Sequence, residues 1–207
     1  MTNNAPPASE THDNDRRVAE TTWRLSPLLS ASAFAFAAVG VASGWGEYLN
    51  RSPVLKAHAP GTSAWTQQLI VAGVACALYA VALWRHRRRY GRGSGRPLLL
   101  APLGRHAAAR VLATMRQVSW RTVAALPPLA LIAYSCWRIG EQITGGLDPN
   151  FTVDAWGGPT YLGAMACHYL DCGLMIAASA WLLNLILLAV PWEDQSAGSR
   201  AMPSPRR

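Results

Sequence analysis

The chain has 207 residues, of which 51% are hydrophobic and only 14% charged. A soluble domain carries about a quarter charged residues, so water is excluded as the main solvent and lipid takes its place. The formal charge is +8, and all but one of the basic residues are Arg; together with the many Ala and Gly this points to a GC-rich, bacterial genome. The length suits one membrane domain and excludes a second folded one.

Residues 1–24 are polar, contain Pro6 and Pro7, and show no apolar period, so they read as a disordered N-terminal segment. Crossing the hydrocarbon takes roughly 20 apolar residues. Four stretches meet that length, at about 25–49, 65–84, 123–143 and 161–190. Only helices or closed barrels satisfy their backbone in lipid, and continuous runs of this length are helices. The polar leader and the long uncharged run behind it argue against a cleaved signal peptide, so the first stretch reads as a retained helix. The expected fold is all-α: an integral membrane bundle of four transmembrane helices in domain 25–190, followed by a disordered tail, 191–207.

Orientation follows from the arginines. The N-terminal segment has Arg16, Arg17 and Arg24, and the tail has Arg200, Arg206 and Arg207. Ten more Arg crowd the central loop, 85–121, while the first outer loop has Arg51 and Lys56 and the last has no basic residue. Both termini and the central loop are therefore expected on the cytoplasmic side of a bacterial plasma membrane. Trp23, Trp84, Trp120 and Trp192 fall at one expected boundary, and Trp45, Trp65 and Trp137 near the other, as an aromatic belt requires.

The central loop opens with Arg85, Arg87, Arg88, Arg89, Arg92 and Arg96, interrupted by Gly91, Gly93 and Gly95. Its second part, 105–121, reads as an amphipathic helix with Val111, Leu112, Met115 and Val118 on one side. Two readings apply to the basic run: it fixes topology, which is the simpler, or it binds anionic lipid head groups of the inner leaflet. No aromatic or motif pattern supports nucleic-acid binding. Asn50 and Asn150 stand in glycosylation sequons that a bacterial chain would not use.

Ionisable residues within spans are costly and so informative. Glu47, Arg138, Glu141, His168 and Asp171 all fall toward the outer ends of the first, third and fourth spans. Arg138 and Glu141 are three apart, as are His168 and Asp171, so each pair shares a helix face. Helix dipoles favour Arg138 near a C-terminal end and Asp171 near an N-terminal end, and disfavour Glu47 and Glu141. In one reading Arg138 and Glu141 form a structural ion pair, and the polar residues only lock the helices in register. In the other, Glu47, Glu141, His168 and Asp171 line an outward-facing site for a small polar ligand or a metal ion such as zinc, iron or manganese.

A transmembrane haem is not expected, because His168 is the only His in any span. Cys76, Cys136, Cys167 and Cys172 form no CxxC pair and read as buried small hydrophobes, with a disulfide from Cys136 to Cys167 or Cys172 as the alternative. Gly40 and Gly44 make a small-xxx-small step suited to close helix packing, within the bundle or against a membrane partner or second copy. No nucleophile elbow, phosphate loop or HExxH is present. Two functions follow: a non-enzymatic accessory or assembly component, preferred because nothing catalytic is specified, or a membrane protein with the outer polar site, serving an enzyme, sensor or carrier.

Overall fold

The structure, a computed structural model, describes residues 25–90 and 101–189. The expected disordered segments, 1–24 and 191–207, lie outside the described residues, as does residue 190 at the end of the fourth stretch. The elements are α1 (Pro27–Leu49), α2 (Trp65–Tyr90), α3 (Arg105–Arg116), α4 (Trp120–Gly145), the single turn α5 (Pro149–Thr152) and α6 (Tyr161–Ile186), with a 3₁₀ turn at Ala101–Leu103. Four of them, α1, α2, α4 and α6, are long and apolar enough to cross a membrane. This is the composition of a multi-pass membrane protein.

The helix starts are set locally. Ser26 caps α1 by accepting from the Leu29 amide at 3.4 Å, with Pro27 in the first turn, and Thr160 caps α6 by accepting from Gly163 at 3.2 Å. Pro127 and Pro128 lie inside α4, which begins at Trp120. They cost it two amide donors without ending it.

α1 and α4 are joined by a glycine seam. A methyl group on Gly40 would stand 1.9 Å from the Trp137 carbonyl oxygen, one on Gly140 1.9 Å from that of Ala37, and one on Gly44 2.1 Å from that of Glu141. Backbone meets backbone here, and only glycine permits it. The Thr144 hydroxyl adds a bond across the seam, donating to Val41 O at 2.8 Å. The small-residue step thus packs inside the bundle. α6 lies on the other side of α4. Their lower contact centres on Ala125, Leu183 and Leu187 with Val111, Met115, Leu129, Ile132 and Ile186. Above it α6 packs against α5 and the loop that follows, through Ala155, Ala164 and Met165 with Phe151 and Tyr169.

α2 stands at the edge. Among its described side chains only Gln68 is buried, while Leu69, Val74, Leu78 and Trp84 are exposed. In lipid such a surface needs no protein cover.

α3 differs from the flat surface helix expected over 105–121. It ends at Arg116, and Ala108 and Thr114 are buried beneath it. Val111 and Met115 pack on the lower core, whereas Leu112 is exposed and Val118 lies beyond the helix, fully exposed. The start of α1 is tied to the same end, with the Ser26 amide donating to Leu103 O at 2.8 Å.

Candidate functional site

At the upper end, the loop after α1 is laced to the loop between α4 and α6. Asn150 does most of this: its Oδ1 accepts from the Lys56 amide at 2.8 Å, and its Nδ2 donates to Val54 O at 2.9 Å and Ser52 O at 3.3 Å. The Ala59 amide donates to Asp154 Oδ1 at 2.8 Å, and His58 Nδ1 lies 2.6 Å from Val153 O and 3.4 Å from the same carboxylate. The Trp65 indole donates to Gly157 O at 3.0 Å and the Ala64 amide to Trp156 O at 2.8 Å. Asn150 is thus occupied as a structural tie.

Beneath this roof is a cavity of about 470 Å³ between α4 and α6. Tyr134, Arg138 and Gln142 form one wall; His168, Asp171, Cys172 and Met175 form the other. Lys56 and residues 150, 151 and 153–156 complete the rim. Helical spacing explains the walls, since steps of four on α4 and of three and four on α6 keep these side chains on facing stripes.

Arg138 is held in two ways. Its guanidinium pairs with Glu141 one turn on, and its central carbon lies 5.2 Å from the Phe151 ring centre. Glu141 is only 3% exposed, so this pair is buried on the carboxylate side, where an unpaired charge would be expensive. Glu47 is exposed at the end of α1 and reaches over the seam toward Glu141 and Gly145. Neither glutamate belongs to the cavity wall. Asp171 is the eleventh residue of α6, too far along for the helix N-terminus to hold it. Its partner is Gln68 of α2, itself 5% exposed, which donates from Nε2 at 2.8 Å.

Of the four sequence candidates for a ligand or metal, His168 and Asp171 line the cavity, while Glu47 and Glu141 gather around Arg138 behind it. Among the described residues no three His, Cys, Asp or Glu side chains stand together closely enough to hold a metal ion. All four cysteines, each among the described residues, are free, so the alternative of a Cys136 disulfide is not realised. Cys76 is exposed and Cys136 only partly covered, against the expectation that all four are buried; Cys167 and Cys172 are buried.

Gln142 is the residue that ionisable-group reasoning passed over. It is 0% exposed, and neither its Nε2 nor its Oε1 finds a partner among the described residues. A buried amide without partners costs about 1–3 kcal/mol per unsatisfied atom. Such a group in a cavity wall marks where a donor and an acceptor are wanted. The available signal was a second polar residue directly after Glu141 in an otherwise apolar span.

At the lower end, Arg85, Arg87 and Arg88 are exposed on the last turns of α2, with Arg88 over the Trp84 ring at 4.2 Å. Arg92 and Arg96 lie outside the described residues, as does the side chain of Arg89. Arg110 does something else. It donates from Nε to Leu188 O at 2.9 Å, from Nη1 to Asn184 Oδ1 at 2.6 Å, and from Nη2 to Leu187 O at 2.9 Å and Asn184 O at 3.0 Å. One guanidinium therefore closes the carbonyl end of α6. Thr114 assists, its hydroxyl accepting from the Leu188 amide at 3.1 Å.

No protein family, curated protein or solved structure matches this chain.

Proposed function

We propose that the chain is a multi-pass protein of the bacterial plasma membrane, with both ends and the arginine-rich loop in the cytoplasm, and that it binds a small polar ligand in the cavity at its outer end. The orientation rests on the arginine asymmetry. The binding role rests on one observation: a wholly buried, unpartnered Gln142 in the wall of a polar cavity. A structural lock would satisfy its own polar groups, and the Gln142 side-chain amide finds no partner among the described residues. Nothing at the site specifies a nucleophile or a metal, so the reading is a binding site of a sensor or carrier rather than an enzyme.

An accessory or assembly role is the second reading. It is supported by α2, which leaves nearly its whole apolar surface outside the bundle; lipid alone satisfies the same surface, so the cavity weighs more. Arg85, Arg87, Arg88, Arg89, Arg92 and Arg96 would sit at the inner leaflet and hold anionic head groups there, each contributing about 1 kcal/mol near the surface.

Two measurements test the reading. With the native cysteines replaced by alanine, an impermeant maleimide added to intact cells should label Asp154→Cys and spare Arg116→Cys; the reverse pattern overturns the orientation. Purified protein in detergent should then be melted with amino acids, simple carboxylates, amines, inorganic phosphate and glucose. A shift by at least one supports the polar site, and no shift by any of them overturns it.

A further inference from the structure

We infer that the ligand is a zwitterion with an apolar body, carrying a carboxylate and an ammonium on one small molecule. This rests on the binding role proposed above and names its substrate class.

The walls carry opposite signs. Arg138 on α4, already paired with Glu141, and Lys56 on the rim are cationic, while Asp171 on α6 and Asp154 on the rim, which faces His58, are anionic. Their charges are unevenly used. Asp171 is bonded to a neutral amide, and among the described residues no cation pairs with Asp171 and no anion pairs with Lys56. A ligand of one sign would therefore be attracted by one wall and repelled by the other, and a molecule bearing both signs suits both.

Gln142 agrees with this. An amide offers two donors and an acceptor, so Nε2 suits a carboxylate drawn toward Arg138 and Oε1 suits an ammonium drawn toward Asp171. The amide is wholly buried in the wall it helps to form, and a bound group would supply the partners it lacks among the described residues. The remaining wall includes Phe151, Trp156 and Met175, which give an apolar body somewhere to lie. The volume of about 470 Å³ falls in the range of roughly 300–1,000 Å³ usual for small-molecule sites, and leaves space beyond a charged head.

The test uses the full-length chain in detergent and calorimetric titration with sets of matched probes. L-phenylalanine, 3-phenylpropionate and 2-phenylethylamine share one phenyl body and differ only in charge; L-leucine with its deaminated and decarboxylated counterparts forms a second set. The zwitterion of at least one set should bind about tenfold or more tightly than both of its single-charge analogues. Asp171→Asn keeps the oxygen that accepts from Gln68, so the fold and the ligand-free melting midpoint should hold. Zwitterion affinity should fall by about tenfold or more while that of the carboxylate analogue does not fall. If an analogue of either charge matches its zwitterion in both sets, or if only phosphate or glucose binds, the zwitterion assignment is overturned and the polar site stands. If nothing binds, both fail. The comparison of analogues is made on the wild-type chain and does not depend on the variant.

Discussion

Gln142→Met separates a binding residue from a structural one by the sign of its effect. The amide is 0% exposed with two unpartnered atoms, each of which costs about 1–3 kcal/mol when buried without a bond. Methionine is close to glutamine in length, unbranched and adaptable, so it fills the same space with little strain. Removing both polar atoms should therefore stabilise the ligand-free protein, by about 1–3 kcal/mol once imperfect packing offsets part of the gain. For a chain of this length about 2–4 °C accompanies each kcal/mol, so the melting midpoint in detergent should rise by roughly 2–12 °C. A thiol-reactive dye or tryptophan emission reads the transition. The same variant should lose the stabilisation that a bound ligand gives. A fall in the ligand-free midpoint would mean that Gln142 is already satisfied in the folded protein, and the argument for the cavity would go with it.

Three further outcomes are expected. Gly140→Ala forces a methyl group against the Ala37 carbonyl oxygen, and a backbone atom cannot step aside; it should cost about 1–3 kcal/mol by overpacking, while Gly46→Ala, which meets nothing within 4 Å, should be nearly silent in the same melt. Arg110→Ala strips four bonds from the end of α6 and should cost roughly 2–4 kcal/mol. Arg110→Lys should restore only part of this, because an ammonium lacks the fork that reaches all four oxygens; full rescue would refute the cap. His106 is held below its ordinary value of 6.5, first by burial and then by the Arg110 charge. The unfolded chain thus binds more protons between the folded and ordinary values, so this contribution is complete above pH 6.5 and declines as pH falls below it. His106→Gln should flatten the dependence of the midpoint on pH in that window, and an unchanged slope would refute the assignment.

The helices were legible because lipid imposes a length and an apolar composition that 23- to 26-residue elements satisfy. The Arg138–Glu141 pair was legible because its partners are one turn apart, and the glycine step because Gly40 and Gly44 share a face. Arg110 was counted as one more cytoplasmic charge, since its partners lie 74 to 78 residues away. The tie between Gln68 and Asp171 spans 103 residues, and periodicity carries no information at that range. Helix dipoles misplaced the source of support for Asp171, which a neighbouring helix supplies. Convergence of Glu47 with His168 was not decidable from spacing, because it depends on which side of α4 each neighbour takes. α1 takes one side with Glu47, and α6 takes the other with His168.

The clamp of Arg110 on α6 has a mechanical consequence. Asp171 and Asn184 are thirteen residues apart on one unbroken helix, about 20 Å along its axis. The short helix at the base grips one end of that rod, and the chamber under the loops is walled by the other. Tilting or pulling the gripped end displaces the aspartate with it, so an event at the arginine-rich surface has a stiff shaft along which to reach the opposite face.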